Sequence, residues 1–142
     1  MRAAILRDDS GTLNIEDVTI DKPDRNEVLI KTVASGLCHS DLHFIDGSWS
    51  FLAMYPMLLG HEAAGVVQAV GEDVVGIQTG DHVITCLSMF CGYCERCLTG
   101  HSYLCSERQQ VQGRQPGNQP RITDNDGAEV NQFTGIGSFG EE

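Results

Sequence analysis

The sequence predicts a mainly β domain, an irregular barrel or sandwich of short strands with one short helix and loops. Short runs of aliphatic and β-branched residues recur along the chain, as half-buried strands require. Glycine is abundant, at 16 residues, and falls between those runs, the punctuation of a β fold with many turns. The length of 142 residues suits one domain, with too little chain for two of ordinary size.

The candidate strands in order are Arg2–Arg7, Leu13–Thr19, Glu27–Ser35, Ala63–Val70 and His82–Leu87. Val28 to Val33 reads as a half-buried strand, and Gly80-Asp81 as the turn that feeds the last one. Ser40–Ile45 is the best short helix, with Ser40 as N-cap and Asp41 in the first turn. Residues 106–128 carry Pro116, Gly117, Pro120 and Gly127 among polar residues and read as a long surface loop.

Hydrophobic residues at 41% and charged residues at 20% indicate a soluble globular chain rather than a disordered one. A net charge of −11 offers no footprint for a nucleic acid backbone or an anionic membrane. The most apolar run, Phe51 to Leu59, is less than half a membrane span and contains Pro56. The N-terminus lacks the apolar core of a secretory signal, so a cytoplasmic protein is expected. In that reducing compartment six cysteines point to thiols or metal ligands.

Four of them, Cys91, Cys94, Cys97 and Cys105, follow the pattern C-x2-C-x2-C-x7-C. Two residues between thiolates let a tight turn aim both sulfurs at one point, and Gly92 and Gly100 give the backbone freedom to wrap. Four soft donors around zinc leave no position for water, which makes the site structural. Disulfides or ordinary buried thiols are the bland alternative, and so dense a cluster argues against them. An iron–sulfur cluster also takes four cysteines, but the long final gap and the residue after Cys105 fit the bacterial ferredoxin run poorly. Cys86, outside the cluster, reads as a small buried hydrophobe in a strand.

A second group is mixed. Cys38, Ser40, Asp41 and His43 are followed by His61 and Glu62. Cys38 and His61 lie beside glycines at strand ends, where site residues tend to be displayed. They could supply two of the three protein ligands that an open, catalytic zinc needs, with polar neighbours able to orient them, although a lone cysteine and a lone histidine are more often packing residues than ligands.

GLCHSDLH, GHEAAGVV, GDHV and CGYCERCLTGHSYLC, in this order, resemble the zinc-dependent medium-chain alcohol dehydrogenases over nearly the whole chain. The resemblance implies a GroES-like catalytic domain over residues 1–142, with a structural zinc lobe at about 88–108, joined in the family to a Rossmann domain that is absent here. It implies alcohol oxidation, or aldehyde and ketone reduction, with NAD(P). By the resemblance, Cys38 and His61 bind catalytic zinc and the four-cysteine group binds structural zinc. Ser40 hydrogen-bonds the substrate alcohol, His43 ends a proton relay, Asp41 orients His61, and Glu62 stands close behind the metal. His39 sits near the cofactor pyrophosphate, and Trp49 and Leu87 line the substrate pocket.

Two departures follow. No third catalytic ligand is evident, and carboxylates such as Glu129 are not expected to substitute. The glycines Gly135, Gly137 and Gly140 match G-x-G-x-x-G, but no acid lies about 20 residues further on, and in the family this stretch resembles a strand of the catalytic domain. The chain is therefore expected to be the N-terminal part of a longer enzyme, homodimeric or homotetrameric when complete, and inactive alone. Its substrate is expected to be a small primary alcohol or aldehyde, aromatic ones included, with a thiol adduct of formaldehyde as the rival. A stand-alone zinc-stabilised binding module is the alternative from another class.

Overall fold

The computed structural model describes residues 1–107 and 121–142. These form two compact units. The first runs over Met1–Thr85 and resumes from residue 121 to Glu142; the second begins at Cys86.

The first unit holds a closed five-stranded barrel in the order β1-β2-β7-β8-β4 and a three-stranded sheet in the order β3-β5-β6. The barrel strands are β1 (Arg2–Leu6), β2 (Leu13–Ile20), β4 (Met57–Leu58), β7 (Ile122–Asp124) and β8 (Glu129–Gln132). The sheet consists of β3 (Val28–Ser35), β5 (Ala63–Val70) and β6 (His82–Ile84). β1 and β2 pair antiparallel with Ala4 opposite Ile15, and β4 closes the barrel by pairing with β1 on one side and β8 on the other.

Each barrel strand contributes to one apolar cluster: Ala3 and Ile5, Val18, Leu58, Ile122 and Val130. The two-residue period of a strand sends alternate side chains to opposite faces. Ile5 and Leu58 therefore enter that cluster, while Leu6, Met57 and Leu59 join a second one with Phe44. Phe44 lies on α1 (His39–Ile45), so the same strands that fill the barrel also seat the helix.

The structure revises several expectations. Cys38, not Ser40, is the N-cap of α1, and Asp41 three residues later accepts the Cys38 backbone N–H at 3.3 Å. The reciprocal geometry of a capping box needs that three-residue spacing, which Ser40 lacks in this helix. β6 stops at Ile84; beyond it the Thr85 N–H still donates to the Ala63 carbonyl, and the Thr85 hydroxyl accepts the Ala63 N–H, both at 2.9 Å. Cys86 lies beyond β6 and is exposed, not buried in a strand.

The polar stretch 106–128 is not all loop: β7 crosses it, paired with β2 through Val18 and Asp124. Its residues 108–120 lie outside the described residues. Gly135 ends a short 3-10 turn, Phe133–Gly135, rather than lying in a strand; Gly137 follows the turn, and Gly140 is bridged to Ala3. Among the described residues, no helix is long and apolar enough to cross a membrane.

The hairpin from β7 to β8 turns on Asp124, a buried carboxylate. It accepts the N–H groups of Asp126 at 3.0 Å and Ala128 at 2.8 Å, and the Arg7 guanidinium at 2.7 Å. Arg7 also pairs with Glu16, so one guanidinium ties β2 and the hairpin together. Arg7 first, then the Ala128 N–H, hold the Asp124 carboxyl below the usual carboxylate range. A carboxyl depressed in the folded state stabilises above its unfolded pKa, and the contribution fades as pH falls through the folded pKa. Asp124→Asn is therefore expected to lower the midpoint of thermal unfolding at about pH 7, and its deficit to shrink on acidification toward about pH 3. Melting curves across that range check this, and a deficit independent of pH would count against the ionic origin.

Candidate functional site

The second unit contains the four-cysteine group. Cys94 is the N-cap of α2 (Glu95–Leu98), which carries Cys97, and a 3-10 turn at Ser102–Leu104 leads into Cys105. Gly92 and Gly100 both adopt positive φ, 81° and 83°, as wrapping requires. The Cys94 sulfur lies 3.4 Å from that of Cys97 and 3.9 Å from that of Cys105, and Cys91 and Cys97 are 3.9 Å apart. All four cysteines are unpaired, and these separations are far beyond a disulfide bond. They match a tetrahedron of sulfurs around zinc, whose edges are roughly 3.8 Å for bonds of roughly 2.3 Å.

The electrostatics make the same point. Backbone N–H groups of Cys97 and then Ser106 pull the Cys94 thiol down, while loss of solvent, ahead of the neighbouring thiols, pushes the Cys97 thiol up. Thiols this close resist ionising together without a cation, and a dication removes that conflict. The described residues of the unit also form no apolar core. Among its described residues only Cys105 is buried and hydrophobic, while Leu98, Tyr93 and Tyr103 are exposed. Four convergent sulfurs are a donor set that could hold a metal ion and so supply order that little apolar burial provides.

The second group assembles on the first unit. Cys38, His61 and Glu62 place one ligand atom each within 4.8 Å of one another. Cys38 ends the loop after β3, and His61 and Glu62 lie between β4 and β5. Asp41 joins the two segments. It is 3% exposed; one oxygen accepts the Cys38 N–H and the other accepts the Gly60 N–H at 2.9 Å. His61 Nδ1 lies 3.3 Å from that second oxygen, a close contact that lacks the geometry of a hydrogen bond. His61 Nε2 is 4.0 Å from the Glu62 carboxylate.

Gly60 makes the turn possible. Its φ is 86°, and a Cβ there would lie 2.8 Å from the Phe139 nitrogen. Gly36 leaves room for Glu62, whose own Cβ would lie 2.9 Å from an added methyl.

The other expected residues are arranged as follows. Ser40 Oγ is 3.6 Å from Cys38 Sγ. His43 contacts the rings of His39, at 4.6 Å, and Trp49, at 4.7 Å, and its Nδ1 is buried without a partner. Trp49 also packs edge-on against Phe44. His39 is exposed at the start of α1. Leu87 belongs to the second unit and is 40% exposed. Glu129, on β8, is in neither donor group. Phe133 escaped the sequence reading: its ring meets His61 at 5.1 Å, and nothing in the polar stretch around it signals that contact.

A barrel that brings a cysteine, a histidine and a carboxylate together, with a separate four-sulfur lobe, defines a class of metal-binding domain. The chain belongs to the alcohol dehydrogenase GroES-like domain family, whose model matches residues 24–141. It is 36% identical over 141 residues to S-(hydroxymethyl)glutathione dehydrogenase of Saccharomyces cerevisiae, an alignment covering 98% of this chain and 36% of that protein. Among solved structures, it is similar to an alcohol dehydrogenase zinc-binding domain protein from Burkholderia ambifaria, with a TM-score of 0.81 and 35% identity over 94% of this chain and 36% of that one. Benzyl alcohol dehydrogenase from Acinetobacter calcoaceticus gives a TM-score of 0.70 and 35% identity, over 94% of this chain and 35% of that one. The chain thus spans about a third of the length of these relatives.

Two outcomes follow. Asp41→Ala leaves the Cys38 and Gly60 N–H groups without their acceptor and is expected to cost about 3 kcal/mol. Denaturant unfolding measures it, and a loss below about 0.5 kcal/mol would remove Asp41 from its organising role. Chelation is expected to raise amide hydrogen exchange throughout residues 91–105 while the barrel strands stay protected. Equal protection of residues 91–105 with and without chelator would show that the lobe does not depend on metal.

Proposed function

We propose that this chain is the N-terminal part of a zinc-dependent alcohol dehydrogenase, which oxidises an alcohol to an aldehyde or ketone and passes a hydride to NAD or NADP. The carrying observation is the convergence of Cys38, His61 and Glu62 in a chain whose relatives are dehydrogenases. Cys38 and His61 hold the catalytic zinc, and Cys91, Cys94, Cys97 and Cys105 hold a structural one. A zinc in the open site supplies Lewis acidity, which lowers the pKa of an alcohol hydroxyl toward neutrality. The nicotinamide cofactor supplies the hydride acceptor.

The chain's own residues bind, orient and move the proton. Asp41 fixes the backbone on either side of the site through its two accepted N–H groups. Glu62 adds a carboxylate close to both ligands. The Ser40 hydroxyl receives the substrate proton, and His43 passes it outward. The buried, unpartnered Nδ1 of His43 leaves that imidazole with hydrogen-bonding capacity to spare for a proton transfer. His39, exposed beside His43, is suited to the phosphates of the cofactor. Trp49, packed on His43, forms a wall for the substrate.

The substrate class is a small primary alcohol or its aldehyde, with an aromatic one first, in line with the benzyl alcohol dehydrogenase likeness. The yeast relative keeps the glutathione adduct of formaldehyde as the rival. The complete enzyme is a cytoplasmic homodimer or homotetramer, and this chain alone does not turn over alcohol.

Metal analysis of the purified chain is expected to find one tightly held zinc, at the four-cysteine group, and a second, weakly held one that Cys38→Ser removes. Two tightly held zincs would defeat the second half of this claim, and none would defeat both. In a polypeptide carrying this chain at the full length of its relatives, alcohol-dependent reduction of NAD or NADP is expected to be lost in Cys38→Ser and kept in Cys86→Ser. An active Cys38→Ser enzyme would refute the assignment.

A further inference from the structure

The turn that carries His61 and Glu62 is gripped from two sides. On one side the Gly36 N–H donates to the Glu62 carbonyl at 2.7 Å, next to the point where Ser35 of β3 pairs with Ala63 of β5. On the other side a distant part of the chain returns. The Ser138 N–H donates to the Gly60 carbonyl at 3.0 Å, and the Phe139 N–H to the Leu59 carbonyl at 3.1 Å. His61 lies between these two sets of bonds.

One side-chain contact joins the two grips. Ser138 is 4% exposed, and its hydroxyl lies 2.7 Å from that of Ser35. The Ser35 hydroxyl also donates to the Gly36 carbonyl, at 3.3 Å. A hydroxyl has one hydrogen to give and two lone pairs with which to accept. With the Ser35 hydrogen directed at Gly36, Ser138 supplies the hydrogen of the shared bond. A short polar chain therefore runs from Ser138 through Ser35 to Gly36. Ser35 ends β3 three residues before Cys38. Ser138 packs on Gly60, where an added Cβ would meet its hydroxyl and lie 2.6 Å from the Phe139 ring.

The backbone around Ser138 is held independently of that hydroxyl. The Phe139 carbonyl accepts the Ala4 N–H at 3.0 Å. Glu141 donates its N–H to the Arg2 carbonyl at 3.1 Å and accepts the Thr32 N–H at 2.9 Å. Residues 138–141 thus tie β1 of the barrel to β3 of the sheet. Neither serine is in the donor group, so both act through the backbone of the residues that are.

We propose that Ser138 is a positioning residue of the Cys38–His61 site. Its hydroxyl bond to Ser35 sets the separation between the end of β3, which leads to Cys38, and the Gly60 turn, which presents His61 and Glu62. This rests on the reading of Cys38 and His61 as metal ligands. Cobalt(II) titration of the full chain, with the four-cysteine group already loaded with zinc, tests it. In Ser138→Ala, cobalt affinity at the Cys38–His61 site is expected to fall by about three- to tenfold, with a changed visible absorption band. Ser35→Ala is expected to do the same, and it carries the comparison if Ser138→Ala does not fold. The double variant is expected to match the weaker single one to within about twofold, because both substitutions remove one bond.

Asp124→Asn breaks a buried ion pair outside both donor groups. It is expected to leave cobalt affinity and spectrum at wild type, which separates positioning from general destabilisation. Wild-type cobalt affinity and spectrum in Ser138→Ala or Ser35→Ala, with both lost in Cys38→Ser, would overturn the positioning role alone. So would an equal fall in Asp124→Asn, or losses that simply add in the double variant. A cobalt spectrum unchanged by Cys38→Ser would instead overturn the metal reading and the inference with it.

Discussion

One buried carboxylate organises the candidate catalytic region. Cys38 and His61 are separated by a helix, a turn and a strand, and Asp41 is where their backbones are referred to a common point. A buried charge is costly unless its oxygens are satisfied, and Asp41 meets that demand with N–H groups next to the donors it serves. The carboxylate therefore has one low-energy placement, and the two segments inherit it. Packing makes the placement rigid: Phe44 anchors the helix against Met57 and Leu59, and the alternation of β4 fills the barrel with Leu58.

The two donor groups reach order by different routes. Cys38, His61 and Glu62 stand on the first unit, which has its own apolar core, so their geometry exists before any ligand arrives. Among its described residues the four-cysteine unit buries almost nothing apolar, and what converges in it is four sulfurs. The first arrangement suits a site that must keep a coordination position open, because the scaffold rather than the metal fixes the side chains. The second suits a closed site, where metal binding is itself the folding energy.

Much of this was legible along the chain. The four cysteines were readable because their ligands are local: two-residue spacings and adjoining glycines determine the turns whatever surrounds them. The long strands β1, β2, β3 and β5 were readable from apolar runs. The short ones, β4, β7 and β8, were not, since two to four residues carry too little pattern; pairing with distant partners creates them. The cap of α1 went to Cys38 rather than Ser40 because the capping geometry is counted back from Asp41. Cys86 proved exposed, in the same two-residue alternation that leaves His82 and Ile84 of β6 exposed.

Amino-acid order alone specified which donors this protein carries and grouped those that lie within a few residues of one another. It also marked the barrel as β-rich, since strand propensity and glycine punctuation are local properties. The long-range choices came with the fold. The meeting of Cys38 with His61, the sharing of Asp41 between them and the contact of Phe133 with the histidine ring all join segments far apart in the chain. Such contacts form only when the barrel closes, because loop-closure entropy opposes them until the buried core offsets it.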